Sequence, residues 1–156
     1  MTRLESLRGR WSAPQLGGRD SRTLMSLFCV IATVRALDYA TGVDGTAAVP
    51  NSALGGIERA FPLGVWAALL TSGVVLVLSG MLGRWTTVVA AGSIVLAVCY
   101  FGLTIGLLIE YLGRPDLDGI RGATGLAVPV VWHVIVATHA IAVRTALARG
   151  GGNAAG

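Results

Sequence analysis

The sequence predicts an all-α protein: an integral membrane four-helix bundle with both termini in the cytoplasm. Three observations carry that expectation. Only 13% of the 156 residues are charged while 54% are hydrophobic, and the mean hydropathy is +0.72. Soluble domains carry roughly 25% charged residues, so a disordered chain is excluded and an ordinary soluble fold is disfavoured. The apolar residues are gathered into four runs, three of them as long as a bilayer is thick. The basic residues, twelve Arg and no Lys, are distributed unevenly between the loops.

Residues 1–22 form a basic cytoplasmic tail. Within it Leu4, Leu7 and Trp11 recur at helical spacing beside Arg3, Arg8 and Arg10, which suits a short helix on an anionic leaflet. Pro14, Gly17 and Gly18 then interrupt it. The transmembrane domain covers 23–145. Span 1, about 23–41, is the weakest, because Arg35 and Asp38 lie within it. Its apolar core is short enough to be a signal-peptide h-region. The long preceding tail, and Arg35 and Asp38 where a small-x-small cleavage site belongs, argue for an uncleaved span instead. After a Gly- and Pro-containing loop, 53–61 has the pattern of a short interfacial helix presenting Leu54, Ile57 and Phe61. Spans 2, 3 and 4 are expected at about 62–82, 85–109 and 122–143. Each reaches the roughly 20 apolar residues that a helix needs to cross the hydrocarbon core. These runs are continuously apolar, unlike the alternating ten-residue segments of a membrane β-barrel. Gly83 and Arg84 leave room only for a tight turn, so spans 2 and 3 form a hairpin. Residues 146–156 are expected to be a flexible tail.

The orientation follows from the arginines. With the N-terminus inside, the cytoplasmic side carries the tail, Arg84, Arg144 and Arg149. The outer side carries Arg59, Arg114 and Arg121 against Asp44, Glu58, Glu110, Asp116 and Asp118. This is the positive-inside pattern of a cytoplasmic-membrane protein. It accounts for the net charge of +4 without nucleic acid as a partner. The expected partners are the lipid bilayer and either a second copy of the chain or another membrane protein.

Few groups can carry chemistry. Arg35 and Asp38 stand three apart, on one helical face. A lone charge at the bilayer centre costs roughly 3 kcal/mol on insertion scales, which makes an intramembrane charged residue a functional candidate. Glu110 closes span 3 toward the same side, so Arg35, Asp38 and Glu110 form a candidate polar cluster. His133 and His139 point about 120° apart on span 4 and cannot together hold one metal. His133, one turn beyond Pro129, is the candidate for the bundle interior. Gly102 and Gly106 make a G-x-x-x-G pair in span 3, and Ala68 and Ser72 repeat small-xxx-small spacing in span 2. Both pairs are candidate helix-packing faces. Cys29 and Cys99 sit inside apolar runs without C-x-x-C spacing, so no zinc site or disulfide framework is expected. No nucleotide-binding loop, nucleophile elbow or metalloprotease motif is present, and no catalytic, cofactor or metal residues are assigned. The chain lacks the internal repeat of an inverted-repeat transporter.

The central hairpin resembles the DoxX-like group of small four-pass bacterial membrane proteins. The resemblance rests on Glu58-Arg59-Ala60-Phe61-Pro62, the small-residue-rich span 2, and Gly80-Met81-Leu82-Gly83-Arg84-Trp85 leading into span 3. It implies a four-helix bundle and a redox-associated accessory subunit with a bound quinone, haem or partner enzyme. In small size, Arg-only basicity, charged N-terminal tail, several spans and Arg-bearing C-terminus, the chain is also similar to membrane proteins of actinobacterial phages. Those include holins and prophage exclusion proteins, and the likeness implies a non-enzymatic oligomer that alters permeability. A third expectation is a small-solute channel or transporter using Arg35, Asp38 and Glu110.

Overall fold

The computed structural model describes residues 18–41, 61–112 and 120–152. These form four helices: α1 (Gly18–Thr41), α2 (Leu63–Gly83), α3 (Thr86–Leu112) and α4 (Ile120–Gly152). Each contains a stretch long and apolar enough to cross a membrane: Ser21–Thr41, Leu63–Gly83, Thr86–Ile109 and Gly125–Ala146. The chain is thus all-α and compatible with a four-helix bundle. The proposed amphipathic segment around Leu4–Trp11, and residues 53–60, lie outside the described residues.

The sequence places the ends of α2 and α3 by their breakers. Pro62 (φ −54°, ψ 142°) precedes α2 and its carbonyl accepts from Val65 N at 2.8 Å. Lacking an N–H itself, proline suits a helix start. At the other end Arg84 turns left-handed (φ 58°, ψ 34°) and Trp85 N donates to Gly80 O at 2.8 Å, which closes the last turn. The Trp85 carbonyl then accepts from Val88 and Val89 and opens α3. The left-handed residue is Arg84 rather than the adjacent glycine. A Cβ on Gly83 would lie 3.0 Å from the folded-back indole of Trp85, so Gly83 is where the ring needs space.

The outer helices differ more from the expected boundaries. Helix α1 begins at Gly18, inside what reads as tail, and α4 continues to Gly152, well beyond 145. Thr145-Ala-Leu-Ala-Arg149 contains strong helix formers, so the helix continues where the apolar run has ended. Pro129 lies inside α4 and leaves the Gly125 carbonyl without its intrahelical donor.

Each helix packs on the next in sequence, α1 on α2, α2 on α3 and α3 on α4, and the α1–α4 seam is much more open. Helix α3 is the most enclosed. The hairpin register is antiparallel. Gly80 lies against Val89, Gly73 against Leu96, and Gly102 under the ring of Trp66. A Cβ added at Gly73 would come 2.7 Å from the Leu96 side chain, whereas one at Gly80 or Gly92 would come 2.7 Å from backbone nitrogen of the opposite helix, so at those two levels backbone meets backbone. Residues 113–119 are too few to travel the length of either neighbouring helix, so α4 returns antiparallel to α3. Leu70, Val77, Val89, Leu96, Tyr100 and Leu103 fill the centre. Outward-facing Val30, Val34, Leu37, Val98, Ile109 and Val131 are more than half exposed. An apolar exterior on that scale marks a surface that faces lipid or another protein.

Candidate functional site

The polar groups of the interior converge on Tyr100, halfway along α3. Its side chain is fully buried, and its ring lies parallel to that of His133 from α4, 6.2 Å between centroids at 8°. Phe28 of α1 meets His133 at 6.0 Å and Trp132 at 5.9 Å. Three helices therefore contribute to one aromatic cluster around a fully buried imidazole. Neither ring nitrogen of His133 has a hydrogen-bond partner among the described residues, and the same holds for the hydroxyls of Tyr100 and Ser93. Buried polar atoms are paired in most proteins, so a cluster of unsatisfied ones marks a site that calls for explanation.

Arg35 of α1 is half-buried. Its guanidinium lies within electrostatic reach of the Tyr100 hydroxyl, as do Tyr39, Cys29 and Cys99. Of the candidates read from the sequence, His133 touches Tyr100 through its ring and Arg35 acts on it through charge. Asp38 is exposed on the outside of α1. Glu110 belongs to the last turn of α3, and its side chain lies outside the described residues. His139 is exposed while His133 is fully buried, in keeping with their divergent directions on the helix. No group of three or more His, Cys, Asp or Glu able to hold a metal ion is present among the described residues.

The small-residue pairs occupy two environments. Gly102 accommodates the Trp66 indole, 3.3 Å from where its Cβ would stand, and Gly106 is half-buried. Ala68 and Ser72 face outward, and Gly64, one turn earlier, has open space around its Cα. Backbone of α2 and α3 instead approaches closely at Gly73, Gly80 and Gly92.

Between α1 and α4 runs a wholly apolar groove of about 410 Å³, walled by Leu24 and Phe28 on one side and by Ala127, Val131, Trp132 and Ile135 on the other. Its volume falls within the roughly 300–1,000 Å³ of ligand pockets. Phe28 is the partition between this groove and His133.

The sequence alone did not identify Tyr100, Phe28 or Trp132 as members of the cluster, or Ser93 as a buried hydroxyl two turns away on α3. One signal was available: Ser93 and Tyr100 are seven apart, hence on one face, inside a charge-free run. Comparison with protein-family models, characterised proteins and solved structures finds no match for this chain.

Proposed function

We propose that this chain is a non-enzymatic, multi-pass protein of the cytoplasmic membrane, with both ends in the cytoplasm, that associates with copies of itself and alters membrane permeability in the manner of holins and prophage exclusion proteins. The observation that carries this reading is the outer face of α2. Gly64, Ala68 and Ser72 form an exposed small-residue row at four-residue spacing, a surface on which a second helix can approach closely. The bundle centre, by contrast, is filled by large side chains. A route for solutes is therefore better sought between chains than within one, which also leaves less support for a single-chain channel built on Arg35, Asp38 and Glu110.

Controlled expression with a membrane-potential dye tests the reading. Depolarisation is expected, together with cross-linked dimers and higher species in the membrane. Combined Ala68→Ile and Ser72→Ile substitutions, both on the exposed face, should abolish the cross-linked species and the depolarisation together. Cells that keep full potential at high expression would remove the proposal.

A DoxX-like accessory subunit is the second reading. It is favoured by His133, buried against the rings of Phe28 and Tyr100 with neither nitrogen partnered among the described residues. It predicts a coloured or extractable cofactor, or a co-purifying enzyme. A featureless visible spectrum and a clean homo-oligomer after gentle purification would count against it.

A further inference from the structure

We propose that the α1–α4 groove, with Arg35 and Asp38 at its end, is a binding site for a membrane phospholipid whose headgroup carries both a phosphate and a primary ammonium. At 100° per residue, Leu24, Phe28, Ile31, Arg35 and Asp38 fall within an arc of about 80° on α1. The stripe that walls the groove at Leu24 and Phe28 therefore continues directly into the two charged residues. Arg35 stands two turns beyond Phe28, roughly 10 Å along the axis. Arg35 is half-buried and shares this face of α1 with Phe28.

The occupant is fixed by the order of chemistry along this stripe. The groove offers only apolar walls, which suit an acyl chain. Next comes a fixed cation, a donor fork matched to phosphate oxygens. One turn nearer the end of the span comes the exposed carboxylate of Asp38, an acceptor for an ammonium group. A phospholipid in a bilayer presents its parts in this sequence from the interior outward: hydrocarbon, phosphate, then amine. Arg35 lies roughly 9 Å along the axis from Thr41, where α1 ends, and a long arginine side chain can extend its charge that far toward the interface. An anionic lipid without an amine would leave Asp38 beside a second negative charge. A quaternary ammonium headgroup offers Asp38 no N–H to donate. The proposal does not depend on self-association.

The test reconstitutes the full-length chain in bilayers containing equal amounts of phosphatidylethanolamine, phosphatidylglycerol and phosphatidylcholine. Lipid retained after mild detergent extraction is then weighed by native mass spectrometry. Phosphatidylethanolamine should be retained in preference to the other two. Asp38→Asn, at an exposed position, should remove its advantage over phosphatidylglycerol while leaving total phospholipid bound. Arg35→Gln should lower retention of all three about tenfold, as expected for loss of a charge-assisted pair, and Arg35→Lys should recover part of it. Val131→Trp, filling the groove from its exposed wall, should lower retention of all three with both charges intact. Circular dichroism and a monodisperse elution profile establish that each variant is folded. Equal retention of the three lipids by the native chain would overturn the proposal, as would an unaltered preference in Asp38→Asn.

Discussion

Arg84 is the one non-glycine residue among those described with a positive φ, and it carries the entire reversal between α2 and α3. A side chain in the left-handed region costs roughly 1–2 kcal/mol, against the 0.5–1 kcal/mol that glycine's extra freedom costs. Arg84→Gly should therefore raise thermal stability in detergent by up to about 1 kcal/mol. A loss instead would mean that the guanidinium anchors the turn. His133 is the second residue with an unfavourable local balance. Each unsatisfied buried nitrogen costs about 1–3 kcal/mol, and a phenyl ring occupies nearly the same space. His133→Phe should raise the melting temperature. A fall would mean that the imidazole is partnered in the membrane and belongs to the working site.

At the scale of elements, the α2–α3 pair depends on glycine at particular depths. A Cβ at Gly92 would stand 2.7 Å from Val77 N and 2.8 Å from Gly73 O. Backbone cannot move aside as a flexible side chain can, so Gly92→Ala should cost about 1–3 kcal/mol. Gly64→Ala, in open space, should leave the melting temperature unchanged or higher. Similar effects from the two substitutions would argue against the close seam. This seam was not legible in the sequence, where the G-x-x-x-G at Gly102 and Gly106 was the more conspicuous motif. Spacing gives the direction of a glycine but not the neighbour it faces. The hairpin itself was legible, because Pro62 and Gly83-Arg84 coincide with abrupt changes in hydropathy. The ends of α1 and α4 were not, since their helices continue into segments whose composition no longer marks a membrane.

For the whole molecule, the sequence announced four apolar helices and left their mutual arrangement open. Hydropathy averages over all faces of a helix. It could not reveal that His133 is fully enclosed while Asp38 is exposed, or that Tyr100 gathers groups from three helices. Orientation remains an expectation resting on the arginines, and the buried native thiols make it directly measurable. Cys29 and Cys99 are each 3% exposed, too enclosed to react with an impermeant maleimide. Thr2→Cys and Asn153→Cys variants should resist that reagent in intact cells and react once the membrane is opened. Labelling of either from outside would reverse or break the cytoplasmic assignment.

The glycine seam also has a mechanical consequence. At Gly80 and Gly92 the backbones of α2 and α3 approach with little side chain between them, so at those levels the pair has little room to repack. That pair is therefore the stiffer part of the bundle, and α3 carries α4 along a broad contact. Compliance is left to α1, whose far edge meets α4 through Phe28 beside an apolar groove. A displacement that opens or closes this protein would thus be a swing of α1, with Phe28 moving across the face of His133.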